Sequence, residues 1–198
     1  MLDKDFDIFC DVCTESRDVN LETLKQVILL ALEIAREGRE GRKIGTMFVV
    51  SDAEETMKQS RCLILDPLWH HSIERKHVSN HDLRETVKEL AQLDGAFIVD
   101  DQGYVLSACR YINVSAAGVE LPLGLGSRHV AAASISKQTN AVAVVVSESS
   151  IVRIFDDGEI VSEIVPEMLL LSRFSLHLNG PYSTRHGNHV TIVSKRER

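Results

Sequence analysis

The run AVAVVVS at residues 141–147 constrains the fold more than any other stretch of this chain. It carries no polar side chain before Ser147, and four of its positions are valine. A half-buried strand alternates apolar and polar residues, whereas a strand apolar throughout must be covered on both faces. The chain therefore calls for a central sheet flanked by helices. Its 198 residues, 44% of them hydrophobic, suffice for one such domain and its core.

The flanking elements can be read by periodicity. From Leu21, the residues Leu24, Val27, Ile28, Ala31, Ile34 and Ala35 recur at helical spacing, opposite Glu22, Lys25, Glu33 and Arg36. Asn20 serves as the N-cap and Gly38 ends the pattern. IGTMFVV (44–50) reads as a buried strand and RCLIL (61–65) as a second, stopped by Asp66-Pro67. HDLRETVKELAQL is a helix with Leu83, Val87, Leu90 and Ala91 on one side. DGAFIVDDQGYVLSA reads as a hairpin, and so does IVRIF-DDG-EIVSEI. A helix rich in alanine and serine runs from about His129 to Gln138. Alternating strands and helices with hairpins between them predict an α/β fold with a mixed sheet. With no repeat or linker, residues 1–198 are expected to form a single domain: an N-terminal extension (1–20), a core (21–163) and a C-terminal extension (164–198). An apolar run, Met168 to Leu171, follows Pro166. The basic tail, with Arg185, His186 and His189, reads as an assembly contact or a disordered end.

Composition excludes several functions. A net charge of −7 and 5% aromatic residues argue against broad binding to nucleic acid. No run reaches the ~18 apolar residues of a membrane span, and MLDKDFDIF is not a signal peptide. A soluble, cytoplasmic protein is expected, with no nucleic acid or membrane partner. Cys10 and Cys13 form a C-x-x-C, but Cys62 and Cys109 stand alone, so neither a zinc site nor a redox pair is expected. His70, His71, His77 and His81 crowd one segment. Ser79 and Asn80 look like a helix start between the last two, which favours capping over metal binding.

The chemistry concentrates in LPLGLGSRHVAAASISKQT (121–139). Gly124 and Gly126 allow a ligand close to the backbone. Ser127 can cap the helix or donate to a phosphate oxygen, and the first helical amides favour an anion. Arg128 offers a planar fork for phosphate, and His129 can donate a hydrogen bond or, if neutral, ligate a metal. The alternative is a capped helix with an exposed arginine and a half-buried histidine. Asp94-Gly95-Ala96 adds a carboxylate where a helix hands over to a strand. Such an aspartate can hold a metal or accept a proton, or it can simply serve the turn.

Asp94-Gly95-Ala96, then Gly126-Ser127-Arg128-His129 at a helix start, then an apolar strand ending in Ser147-Glu148, resembles the diadenylate cyclase domain, most closely its single-domain archaeal members. The likeness extends from Leu21 to Glu163. In the family's Arg-His-Arg signature the second arginine is here Val130, and Ser127 stands where threonine is usual. The resemblance implies condensation of two ATP into cyclic di-AMP and two pyrophosphates, at a face-to-face pair of subunits. It casts Asp94, Arg128 and His129 as catalytic, with Mn2+ or Mg2+ held by Asp94 and His129. Gly95, Ala96, Gly126, Ser127, Ser147 and Glu148 would bind ATP, with Tyr111 and Ile112 at the adenine. One cation fewer leaves an alternative: a module that binds ATP or cyclic di-AMP with weakened turnover.

Overall fold

A computed structural model of the chain describes residue 17 and residues 19–113, 119–166, 182–186 and 190–195. Cys10, Cys13, Gly118, the Met168 to Leu171 run and His189 lie outside them.

The elements are α1 (Leu21–Glu37), β1 (Thr46–Val50), α2 (Ala53–Lys58), β2 (Ser60–Cys62), α3 (His81–Leu90), β3 (Ala96–Val99), β4 (Val105–Ile112), α4 (Ser127–Gln138), β5 (Val142–Val146), β6 (Val152–Asp156), β7 (Glu159–Pro166), β8 (Tyr182–His186) and β9 (Val190–Lys195). Among the described residues the strands form one nine-stranded mixed sheet, ordered β2-β4-β3-β1-β5-β6-β7-β9-β8. β1 runs parallel to β3, and every other pairing among the described residues is antiparallel.

Local signals explain the helices. Asn20 Oδ1 accepts from the Glu22 and Thr23 amides, and Gly38, at φ 60°, returns its N–H to Ile34 O. Asn80 caps α3 in the same way. His77 therefore stays outside that helix, with its ring nitrogens 2.6 Å from Ser79 Oγ and 2.9 Å from Gln102 O. Among the described residues no helix is long and apolar enough to cross a membrane.

The sheet separates two apolar layers. Phe48, Val50, Phe97, Val144 and Ile154 face α1 and α3, where Phe48 and Phe97 stack at 5.1 Å. Met47, Val49, Ile98, Ala143, Val145 and Phe155 face the other way, against Ala132, Ala133 and Ile135 of α4. β5 lies in the middle and is buried along its whole length, as its valine run requires. The alanines and serines on the buried side of α4 let it lie close to the strands.

The structure refines the strand reading and adds elements that periodicity did not show. Of RCLIL only Arg61 and Cys62 lie in a strand, the three-residue β2 that begins at Ser60, while Leu63, Ile64 and Leu65 are exposed. The chain turns there because Asp66 accepts from the Leu68 amide and from Ser107 Oγ. The short helix α2, with only Thr56 buried, has too few apolar positions to show a period. The basic tail forms β8 and β9, since the β-branched VTIV stretch pairs with β7. The expected C-terminal extension thus begins inside β7 and completes the same sheet.

Candidate nucleotide site

The site arises from strand direction. β1 and β3 run together, with Met47 opposite Ala96, while β5 runs against them, with Thr46 opposite Val146. The beginnings of β1 and β3 therefore meet the end of β5. This places Gly45, Asp94-Gly95 and Ser147-Glu148 side by side at one end of three adjacent strands. The start of α4 arrives at the same end.

Gly95 holds Asp94 in place. Its φ is +108°, and a Cβ there would lie 2.6 Å from the carbonyl carbon of Cys109 and 2.7 Å from the Arg110 nitrogen. Cys109 itself has φ 54° at an irregularity in the β3–β4 register. Glycine thus lets the start of β3 press on this bulge and brings Asp94 to the lip, its side chain 86% exposed. Burial pushes the Cys109 thiol up, with Asp66 and Cys62 adding to the effect, so Cys109 is a packed, protonated thiol.

Arg128 joins the parts. Its Nη2 donates to Asp94 Oδ1 at 3.1 Å and its Nη1 to Glu148 Oε1 at 3.5 Å. The guanidinium is 34% exposed, so this is a rim arrangement rather than a buried pair. Gly45 makes room for it: a Cβ there would lie 2.6 Å from Arg128 Nη1 and 3.3 Å from Glu148 Cγ. Sequence reading missed Gly45, because its partners lie in distant segments.

Two cavities share Ser127 and Arg128 as a common wall. The first, about 580 Å³, is lined by Gly124 to His129, by Val145 to Ser149, and by Ile151 and Arg153. The second, about 410 Å³, contains Asp94, Gly95, Ala96, Arg110, Tyr111 and Ile112, with Met47, Leu63 and Ala131. Both are of small-ligand size. The cap position of α4 is Gly126 rather than Ser127, and a glycine there has no side chain to close the first turn. Its first turn consequently offers amides to an anion in the first cavity. In the second, Tyr111 is exposed beneath Arg61, whose guanidinium lies 4.8 Å from the ring centre, while Ile112 is buried. Arg110 is a brace, donating to Ser60 Oγ, Ser60 O, Met57 O and Cys62 Sγ.

The remaining expected residues fall on the first cavity with different duties. Ser147 Oγ accepts from the Ile151 amide at 3.1 Å and lies 2.8 Å from Ser149 Oγ, which shapes the β5–β6 turn. His129 is buried, with Nε2 3.2 Å from Arg153 Nη1. That nitrogen faces a cation, and His129 and Asp94 line different cavities. Among the described residues no group of three or more His, Cys, Asp or Glu side chains is placed to hold a metal. Asp94 is the donor that suits Mg2+ or Mn2+, a hard, exposed carboxylate able to share such an ion with phosphate oxygens.

Residues 33–160 match the family described as DisA bacterial checkpoint controller nucleotide-binding. A curated protein of Methanocaldococcus jannaschii named diadenylate cyclase is 49% identical over 150 residues, covering 75% of this chain and 47% of that protein. One of Haloferax volcanii with the same name is 41% identical over 147 residues, covering 73% and 53%. The chain thus spans about half the length of the curated relatives it matches. A solved structure described as a hypothetical membrane spanning protein from Bacillus cereus aligns with a TM-score of 0.52 at 20% identity, covering 70% of this chain and 62% of that one. That last likeness is one of fold alone.

Proposed function

This chain belongs to the DisA bacterial checkpoint controller nucleotide-binding family, and we propose on that premise that it is a diadenylate cyclase. Two ATP molecules, one on each of two facing copies of the chain, condense to cyclic di-AMP with release of two pyrophosphates. The observation that carries the reading is the position of Arg128, which faces both cavities and reaches Asp94 at 3.1 Å and Glu148 at 3.5 Å.

In this reading the triphosphate lies at the start of α4, where first-turn amides and the Arg128 fork meet its oxygens. The base enters the second cavity against Tyr111 and Ile112, with Gly95 and Ala96 leaving room beside it. Arg128 exchanges part of its contact with Asp94 and Glu148 for phosphate oxygens, which releases Asp94 to the incoming sugar. Asp94 then orients the 3′-hydroxyl of the facing ATP and accepts its proton. The oxygen bonds to the α-phosphorus, the bond from that phosphorus to the pyrophosphate oxygen breaks, and the same exchange in the other direction closes the ring. Mg2+ or Mn2+, held by Asp94 with the phosphates, would neutralise charge on the triphosphate. Positioning supplies much of the acceleration, which is why the two copies must face each other. The enzyme would act in the cytoplasm.

The test is purified protein with ATP and each metal, analysed by mass for cyclic di-AMP. Asp94→Asn should lower the rate by about 10²–10⁴-fold without loss of folding. ATP binding without the cyclic product would make the chain a nucleotide-binding module, and AMP transfer to another acceptor would make it a different transferase.

A further inference from the structure

A second guanidinium lines the cavity at the start of α4, that of Arg153, arriving from β6. It is 4% exposed, and its Nε donates at 2.5 Å to Oε1 of Glu163, which is wholly buried directly opposite on β7. Its Nη1 lies 3.2 Å from His129 Nε2. A guanidinium only donates, so in this contact Nε2 is the acceptor. Phe155 also packs near the imidazole, ring centres 6.1 Å apart.

A buried ion pair is a weak source of stability, since apolar residues of equal volume serve as well or better. The pair here is also directional. Arg153 lines the cavity and Glu163 does not, so the positive end faces the ligand. The helix itself supplies Arg128 but has valine at position 130.

We infer that Arg153 is a positioning residue for the phosphate chain of the nucleotide: it fixes the His129 ring, and with it the first turn of α4, and sets a positive potential at the floor of the cavity. This rests on the reading of that cavity as a triphosphate site. The sequence motif shows one arginine; the fold brings in another from a strand.

Removing Arg153 alone would take a close cationic partner from the buried Glu163, so the decisive variant is Arg153→Met with Glu163→Met, which removes both charges at similar volume. Calorimetry with ATP, inorganic triphosphate and adenosine, beside thermal unfolding, reads the effect. Affinity for ATP and triphosphate should fall at least about tenfold in the double variant and about threefold in Arg153→Lys, which keeps charge but loses the fork. Adenosine affinity should stay unchanged in both. In turnover, KM for ATP should rise by the same factors as the affinities fall, with a smaller change in kcat. The inference is overturned if the folded double variant binds triphosphate within about twofold of the unaltered protein, or if adenosine affinity falls in parallel. Should the double variant not fold, Arg153→Lys decides by the same comparison. A protein that binds ATP tightly but forms no cyclic di-AMP refutes the cyclase reading alone, because the Arg153 comparison is made on binding.

Discussion

Replacing Gly45 by alanine separates the geometry of Arg128 from the stability of the fold. The added Cβ would stand 2.6 Å from Arg128 Nη1 and 3.3 Å from its Cζ. To reach ordinary contact the guanidinium must retreat by about 0.8 Å, and that is easy because the clash meets the end of a flexible side chain. A displacement of that size is enough to carry the 3.1 Å bond from Nη2 to Asp94 to as much as about 3.9 Å, past hydrogen-bond range. Gly45 does not have positive φ, so alanine fits the backbone, and the stiffer unfolded chain offsets the small local strain by about 0.4–1 kcal/mol. Thermal unfolding should therefore be unchanged or slightly raised. Misplacing a group that orients reactants by close to 1 Å costs roughly 10²-fold in rate. Cyclic di-AMP formation by Gly45→Ala, followed by chromatography under saturating ATP, should fall by that order. Full turnover at unaltered stability would show that the guanidinium need not sit where it does. A loss of rate accompanied by a fall in Tm would mean that Gly45 serves the fold.

Gly95→Ala should behave in the opposite way. Its Cβ would strike backbone atoms of Cys109 and Arg110 at φ +108°, so a loss of about 2–4 kcal/mol is expected in denaturant unfolding. Acid should loosen the contact between α1 and α3, where Lys88 meets Glu33, Glu37 and Glu85 and Arg39 meets Glu85 and Glu89. Hydrogen bonds from Lys88 and Arg39 lower Glu85 to about 2 from its ordinary 4.5. Stability from this group is complete above pH 4.5 and is lost as the pH falls toward 2, so Glu85→Gln should flatten the stability-against-pH curve in that window.

Much of the frame was legible because its signals are local. The Asn20 cap, the spacing from Leu24 to Ala35 and the valine run of β5 each state their structure within a few residues. The tail was harder: its pairing with β7 depends on a distant strand, and its basic residues mask a β-branched stretch. Asp94 and Arg128 could be singled out as a turn carboxylate and a helix-start cation, but only the resemblance to a known domain joined them across the chain. Gly45 and Arg153 gave no such sign. Gly45 is an ordinary glycine before a strand, and its meaning lies in the volume that Arg128 occupies. Arg153 reads as a polar position in a hairpin until the register sets it against Glu163 and the packing sets it under His129.

The meeting of β1, β3 and β5 ties the chemistry to their hydrogen-bond ladders. Inserting one residue within β1 would advance its start by about 3.4 Å and turn successive side chains to the opposite face, so Gly45 would no longer lie beneath Arg128. Length changes in the loops far from this end would leave the three strand ends in step. Added length in those loops is thus expected to be tolerated, while a single-residue insertion or deletion in any of the three strands would draw Gly45, Asp94 and Glu148 apart before it melted the sheet.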